Sequence, residues 1–353
     1  MTSPTPRERV LAILGGNHAA FRGASVAAAS AASTPLLLAP MASLTHAGLR
    51  TLIAEFGGCD LYLTEMINAE ALVGGTPYET YYLDETPGGE RLVFQLMGYS
   101  ERAIMAAAEE LMKSGCAGID FNMGCSAPHI VRKGGGIAWM RERARTANLV
   151  RALRSVVTDR ALSVKLRLGR EDDPEALLDL ASALVDAGVD YLTLHPKRQR
   201  EGSARRARWS YVRMLREHLP VPVVGNGGVV GYESLVSRTA EAGPGPVMIG
   251  RAAARAPWIF AYLRRRLAGD AGEYRVGLKA VAERFFTLLE EYQPRDFWPS
   301  RARRFLPYLM ANLTFGHTLA ARLAQMNSYD QARGEVMAYF DAHPENATYA
   351  ERG

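Results

Sequence analysis

Cys125 stands where an apolar run meets a basic, glycine-rich loop, in GIDFNMGCSAPHIVRKGGG over residues 118–136. Three kinds of chemistry are open to a thiol in that setting: inert packing at a strand end, redox exchange, or service as a catalytic acid or nucleophile. Nucleophilic catalysis needs an activating base, and no His/Asn partner for the thiol is evident in the chain. Cys59 and Cys116 fall in helix-to-strand connections and read as core residues. Three thiols without a CxxC pair argue against a disulfide framework or a zinc site, point to no metal, and suit a reducing cytoplasm.

Other polar residues recur at an equivalent depth. Gln95, Asn122, Lys165, His195 and Asn226 each fall near the C-terminal end of a short apolar run. A lone lysine there ordinarily snorkels and a lone histidine is ordinarily structural; it is the set of five that marks a site. Two glycine turns, Gly227-Gly228 and Gly250-Arg251, follow the last two runs. Clustered backbone N–H groups with a cation are what a phosphate requires, and tight turns alone are the plainer alternative.

The runs that carry these residues are LLLAPM (36–41), LYLTEMI (61–67), RLVFQLMG (91–98), GIDFNMG (118–124), LSVKLRLG (162–169), YLTLHP (191–196), VPVVGNGG (221–228) and PVMIGR (246–251). Between most of them lie amphipathic stretches such as ERAIMAAAEELMKSG and PEALLDLASALVDAG, each ending in the glycine common at helix C-termini. Eight β units, most separated by a helix, predict an α/β fold, a (β/α)8 TIM barrel over residues 34–268. Such a barrel packs aliphatic layers inside and gathers its reactive groups at the C-terminal ends of its strands. A doubly wound sheet would place its ligand at one switch point and would not need polar groups on so many strands.

After Gly269 helical spacing continues with no strand between, which predicts a small all-helical domain over 275–345. Residues 1–33 are rich in Ala and Ser and read as a disordered extension or an overlong start. The PLLLAPM that follows suits a first core strand better than a signal core.

With 353 residues, 48% hydrophobic and 22% charged, the chain has the composition of a globular protein with a large core. No uninterrupted apolar run approaches the roughly 20 residues of a bilayer span, so a soluble protein without a membrane partner is expected. The net charge of +5 is concentrated in clusters. Lys197, Arg198, Arg200, Arg205, Arg206 and Arg208 stand against the single Glu201; Arg264–Arg266 form a second group. Arg295, Arg301, Arg303 and Arg304 form a third, interleaved with Phe297, Trp298 and Phe305. Any one of these suits a solvated helix face; basic patches with aromatics also suit a phosphate-rich partner.

The segments LAPMASLTHAGLR, TEMI, FQLMG, DFNMGCSAPHIVRKGGGIAWM, VKLRLG, VVGNGGV and VMIGRAAARAPWIF, in this order and spacing, closely resemble the tRNA-dihydrouridine synthases. The resemblance implies an FMN-dependent barrel enzyme with a helical tail that acts on tRNA. It further implies a cytoplasmic monomer whose flavin is first reduced by NADPH or NADH. By this resemblance Lys165 lies against the N1–C2 edge of the flavin, where a cation stabilises the anionic reduced ring. Gln95 would bond the pyrimidine edge, Pro40 and Met41 would contact the ring, and His195 would face flavin and substrate. Asn226, Gly227, Gly228, Gly250 and Arg251 complete the cofactor set. Asn122, Lys133 and Arg167 correspond to uracil-contacting positions, and Lys197 and Arg198 to the RNA-facing rim. Reducing the uracil C5–C6 bond takes a hydride at one carbon and a proton at the other. An ordinary thiol, with a pKa of about 8.5, is mostly protonated near neutrality, so Cys125 suits the acid.

The family pattern Gly-Cys-Pro, His-Gly-Arg and Asn-Gly-Asp is replaced here by Gly-Cys-Ser126, His195-Pro196-Lys197 and Asn226-Gly227-Gly228. His46 stands where an aspartate is common, and together these departures indicate a divergent subgroup. No GxGxxG dinucleotide fold is present, so the nicotinamide is expected to dock at the flavin face and leave before uridine enters. Two competing expectations are a dihydroorotate dehydrogenase-like flavoenzyme acting on a small pyrimidine, and a catalytically silent RNA-binding barrel. The first would need a compact carboxylate site and no basic rim.

Overall fold

The computed structural model describes residues 3–15, 34–202 and 205–351. Eight strands run parallel and in sequence order around a closed barrel: β1 (Leu36–Leu38), β2 (Leu61–Asn68), β3 (Leu92–Met97), β4 (Gly118–Met123), β5 (Ala161–Leu166), β6 (Tyr191–Leu194), β7 (Val223–Asn226) and β8 (Val247–Ile249). β8 returns to pair with β1, with Leu37 opposite Met248. The strands read as nearly continuous apolar runs because helices cover one face and the barrel core the other. Helix starts are set locally: the Ser100 hydroxyl accepts from Ala103 N–H at the head of Glu101–Leu111, and Asp173 caps Pro174–Asp186 in the same way.

Register places the inward polar groups in two tiers. Gln95, Asp120, Ser163 and Tyr191 are successive partners across β3 to β6. Two residues further along each strand, Asn122, Lys165 and Thr193 form the next tier towards the C-terminal end. In β2 the pairing with β3 shifts between Leu63 and Met66. Such an irregularity re-aims a side chain, and here Glu65 leaves the barrel ladder for the helical domain.

The N-terminal end of the barrel is sealed, which the sequence did not suggest. Residues Pro6–Ile13 form a helix rather than a disordered lead, opened by a capping box between Thr5 and Glu8. Val10 and Leu14 are fully buried against Leu37, Leu61, Val93, Ala161, Tyr191 and Met248, the floor of the barrel. Arg7 adds an ion pair to the buried Asp190 at 2.7 Å, and Asp190 also holds Arg154 at 2.8 Å. Residues 16–33 of the expected extension lie outside the described residues.

The C-terminal domain is built from helices Leu278–Tyr292, Trp298–Met310, His317–Gln325 and Tyr329–Ala342. It is not wholly helical: β9 (Tyr274–Gly277) and β10 (Thr348–Glu351) pair antiparallel and clasp its two ends together. Phe285 stacks on Phe305 at 4.0 Å between the first two helices. The domain packs closely on the barrel helix Ala47–Glu55, where a Cβ at Gly48 would lie 2.9 Å from the Leu288 carbonyl oxygen. Arg301 and Glu65 bridge the two parts with an ion pair of 2.5 Å, both side chains buried. Glu65 also accepts from the Ser43 N–H, tying the loop after β1 into the same contact.

Candidate active site

A cavity of about 540 Å³ opens at the C-terminal ends of the strands. All the site residues expected from sequence line it except Lys133, Lys197 and Arg198: Pro40 and Met41 after β1, Gln95 on β3, Asn122 and Cys125 at the end of β4, Lys165 and Arg167 at β5, His195 at β6, and Asn226, Gly227, Gly228, Gly250 and Arg251 after β7 and β8. Ala39, Met66 and Met248 give it an apolar floor.

A chain of hydrogen bonds runs across this floor. Ser163 Oγ donates to Asp120 Oδ1 at 2.6 Å, and Gln95 Nε2 donates to Asp120 Oδ2 at 2.6 Å. Asn122 Nδ2 then donates to Gln95 Oε1 at 2.8 Å. The orientation of the Gln95 amide is thereby fixed, with Nε2 turned to the carboxylate and Oε1 to Asn122. Asp120 was not singled out from sequence, since an acid inside an apolar run carries no periodic signal of its own. Burial raises its pKa to about 6, against the opposing pull of its hydrogen bonds and of Lys165.

Asn122 also shapes the cysteine loop. Its Oδ1 accepts from Cys125 N–H at 2.9 Å and from Gly124 N–H at 3.2 Å, an Asx-type turn. On the other side Ile137 N–H donates to the Cys125 carbonyl at 2.9 Å. Gly136, at φ +57°, is pressed so close that a Cβ there would sit 2.3 Å from that carbonyl oxygen. The loop is thus pinned on both sides of the thiol, with Ser126 in the place of the proline. Cys59 and Cys116 are buried, and burial pushes both thiols upward; Cys125 is half-buried and alone of the three lines the cavity.

Cations also line the cavity. Lys165 is drawn down to about 8, first by burial and then by Arg167, while Asp120 and Cys125 pull it up. Burial, followed by Lys165, Arg167, Lys197 and Arg251, holds His195 far below the usual imidazole range. These surroundings favour the neutral imidazole over the imidazolium. Gly227 lies against it: at φ +110°, a Cβ there would stand 2.6 Å from the His195 ring.

Lys133 stands outside the cavity, exposed on its loop with its ammonium 5.4 Å from the Tyr99 ring centroid. Lys197 is buried and donates to the Gly202 carbonyl at 3.1 Å. The basic run behind it is partly self-neutralised. Glu201 bonds Arg208 at 2.6 Å and Arg198 at 3.0 Å, and these partners, Arg208 foremost, hold its carboxyl well below the usual range. Arg206 pairs with Glu241 at 3.2 Å. Arg301, expected to extend a basic surface, is instead the buried partner of Glu65, while Arg303 and Arg304 remain exposed. Arg255 and Tyr308 also line the cavity and were missed; Tyr308 comes from the helical domain, far along the chain from the strand ends.

Fold and cavity together define a barrel with a pocket at the C-terminal strand ends, lined by apolar residues, a lysine, and glycine turns beside an arginine. The model of the dihydrouridine synthase (Dus) family matches residues 37–343, and the chain belongs to that family of flavin-dependent oxidoreductases. A probable tRNA-dihydrouridine synthase of Helicobacter pylori is 30% identical over 73% of this chain and 77% of its own length. The tRNA-dihydrouridine(16) synthase of Neisseria meningitidis is 27% identical over 87% of this chain and 95% of its own. Dihydroorotate dehydrogenase of Eimeria tenella, in a complex with ferulenol, superposes with a TM-score of 0.50 at 13% identity, over 67% of this chain and 81% of that one. That likeness shows the barrel alone. Among the described residues no helix is long and apolar enough to cross a membrane.

Proposed function

We propose that this chain reduces the C5–C6 bond of a uridine in tRNA to 5,6-dihydrouridine, using flavin mononucleotide recharged by NADPH or NADH. The observation that carries the reading is one cavity holding Cys125, Lys165 and the Gly227 and Gly250 turns within a family member.

The residues present suit this cofactor. At Gly227, with φ +110°, a Cβ would press on His195, whereas at Gly250 one would make only ordinary contact with Ala39 and Met41; the backbone N–H groups of these two turns, beside Arg251, suit a phosphate. A cavity of about 540 Å³ lies in the range of pockets for drug-sized ligands. A bound flavin supplies the hydride for one carbon of the double bond. The chain supplies the rest. Lys165 offers positive charge at the cavity wall, and Gln95, locked by Asp120 and Asn122, presents an amide of fixed polarity. Cys125, held by Asn122 and Ile137, carries a proton on Sγ for the other carbon. Arg167 and the neutral His195 add donors for the uracil carbonyls and the cofactor. Exposed Arg200, Arg205, Arg303 and Arg304 remain available to RNA phosphates, and binding should fall steeply with salt.

Replacing Cys125 with Ala tests the assignment. Flavin reduction by NADPH should proceed at the wild-type rate, while reoxidation by tRNA slows by roughly a hundredfold or more. Equal rates of reoxidation in the two proteins would remove the thiol from the mechanism. Reoxidation by orotate but not by tRNA would replace the substrate.

A further inference from the structure

The cavity contains an arginine to which nothing above gives work. Arg251 and Arg255 begin and end the short helix after β8, and both line the cavity. Side chains four apart on a helix lie one above the other, where two like charges repel unless an anion sits between them. Among the described residues neither guanidinium forms an ion pair with a carboxylate. Arg251 is close enough to His195 and Lys197 to depress the protonation of both.

The direction of Arg255 is set from the helical domain. Its Nε donates to Asn312 Oδ1 at 3.0 Å, and Asn312 Nδ2 donates back to the Arg255 carbonyl at 2.7 Å. A further bond of 2.9 Å from Asn312 Nδ2 to the Leu309 carbonyl fixes the amide on the end of the helix Trp298–Met310. The same helix contributes Tyr308 to the cavity wall. Nε is engaged, and among the described residues no hydrogen bond occupies the two terminal guanidinium nitrogens of this cavity-lining side chain; such a pair can grip a phosphate bidentately.

We propose that Arg255, aimed by Asn312, is a second phosphate-binding arginine beside Arg251, so that the docked helical domain governs how tightly a phosphate monoester is retained. The assignment rests on the flavin mononucleotide reading given above.

Titrating the full chain, stripped of flavin, with FMN and separately with riboflavin separates the phosphate from the ring. The wild-type protein should bind FMN far more tightly than riboflavin. Arg255→Ala and Asn312→Ala should each weaken FMN by roughly tenfold and leave riboflavin unchanged. Arg255→Lys should recover part of the loss, because lysine restores the charge without the fork. Equal weakening of both flavins overturns the assignment, as does an undiminished preference for FMN in the variants, including the case where only tRNA binding falls. Riboflavin bound as tightly as FMN by the wild type overturns the mononucleotide reading itself, and the assignment with it.

Discussion

Lys165 is a charge kept where burial penalises it. Its pKa, drawn down to about 8 from a usual value near 10.5, means that the folded protein prefers the neutral amine more than the unfolded chain does. A depressed pKa contributes stability that is present above the unfolded value and is lost as pH falls through the folded one. At neutral pH the ammonium therefore costs stability, and Lys165→Met should raise the melting temperature while abolishing turnover. The gain should be largest below pH 8 and shrink as pH rises towards 10.5. Thermal melts of both proteins across that window check the sign; a gain that grows with pH would contradict it. Asp120, raised to about 6, has the opposite slope, its neutral form being favoured in the fold below that value. The two groups make the floor of the site a place where stability is given up for function. The place of Lys165 at the cavity was legible in the sequence because the end of a barrel strand faces the ligand end. Asp120 was not, because its role follows from register with Gln95 and Ser163, which the spacing of letters along one strand does not contain.

At the scale of elements, the join between barrel and helical domain depends on Arg301 and Glu65. Truncating one partner of a buried ion pair leaves an uncompensated charge, so Arg301→Ala should lower stability by roughly 3–5 kcal/mol. Adding Glu65→Gln to that variant should return part of the loss, since a neutral amide still accepts from Ser43 N–H and leaves no buried charge behind. Urea unfolding of the single and double variants measures both steps. The sequence placed Arg301 among surface arginines on the strength of its basic neighbours. Helical spacing held the contrary signal: Arg301, Phe305 and Leu309 recur at four-residue intervals and share the buried face. The strands themselves were plain from the sequence, since eight apolar runs with polar ends leave little choice of architecture. Their limits shortened in the structure wherever a glycine or proline turned the chain away, as at Pro40, Pro196 and Gly227.

On the scale of the whole molecule, the barrel has one working end and one sealed end. Val10 in the helix Pro6–Ile13 and Leu14 just after it are buried, and each such side chain contributes about 1.5–3 kcal/mol. Deleting residues 1–15 should therefore lower stability by about 3 kcal/mol or more and depress the melting temperature. Flavin reduction and tRNA-driven reoxidation at 25 °C should be unaffected, because the helix lies at the end opposite Cys125. A lost activity without a lost melting point would show that the helix acts on the site. Its capping box, Thr-Pro-Arg-Glu, was present in the sequence, but the Ala- and Ser-rich stretch that follows gave no periodic pattern to extend it.

The same helix carries information about the order of assembly. It is translated before every strand it covers, and the bond from Arg7 to Asp190 spans 183 positions. Its seat is composite: Leu37 comes from the first strand, Tyr191 from the sixth and Met248 from the last. No partly formed sheet offers that complete surface, so an element made before all the strands is among the last to dock, and its closure cost falls on a long loop. Protection of its amides from hydrogen exchange during refolding therefore times the closing of the ring.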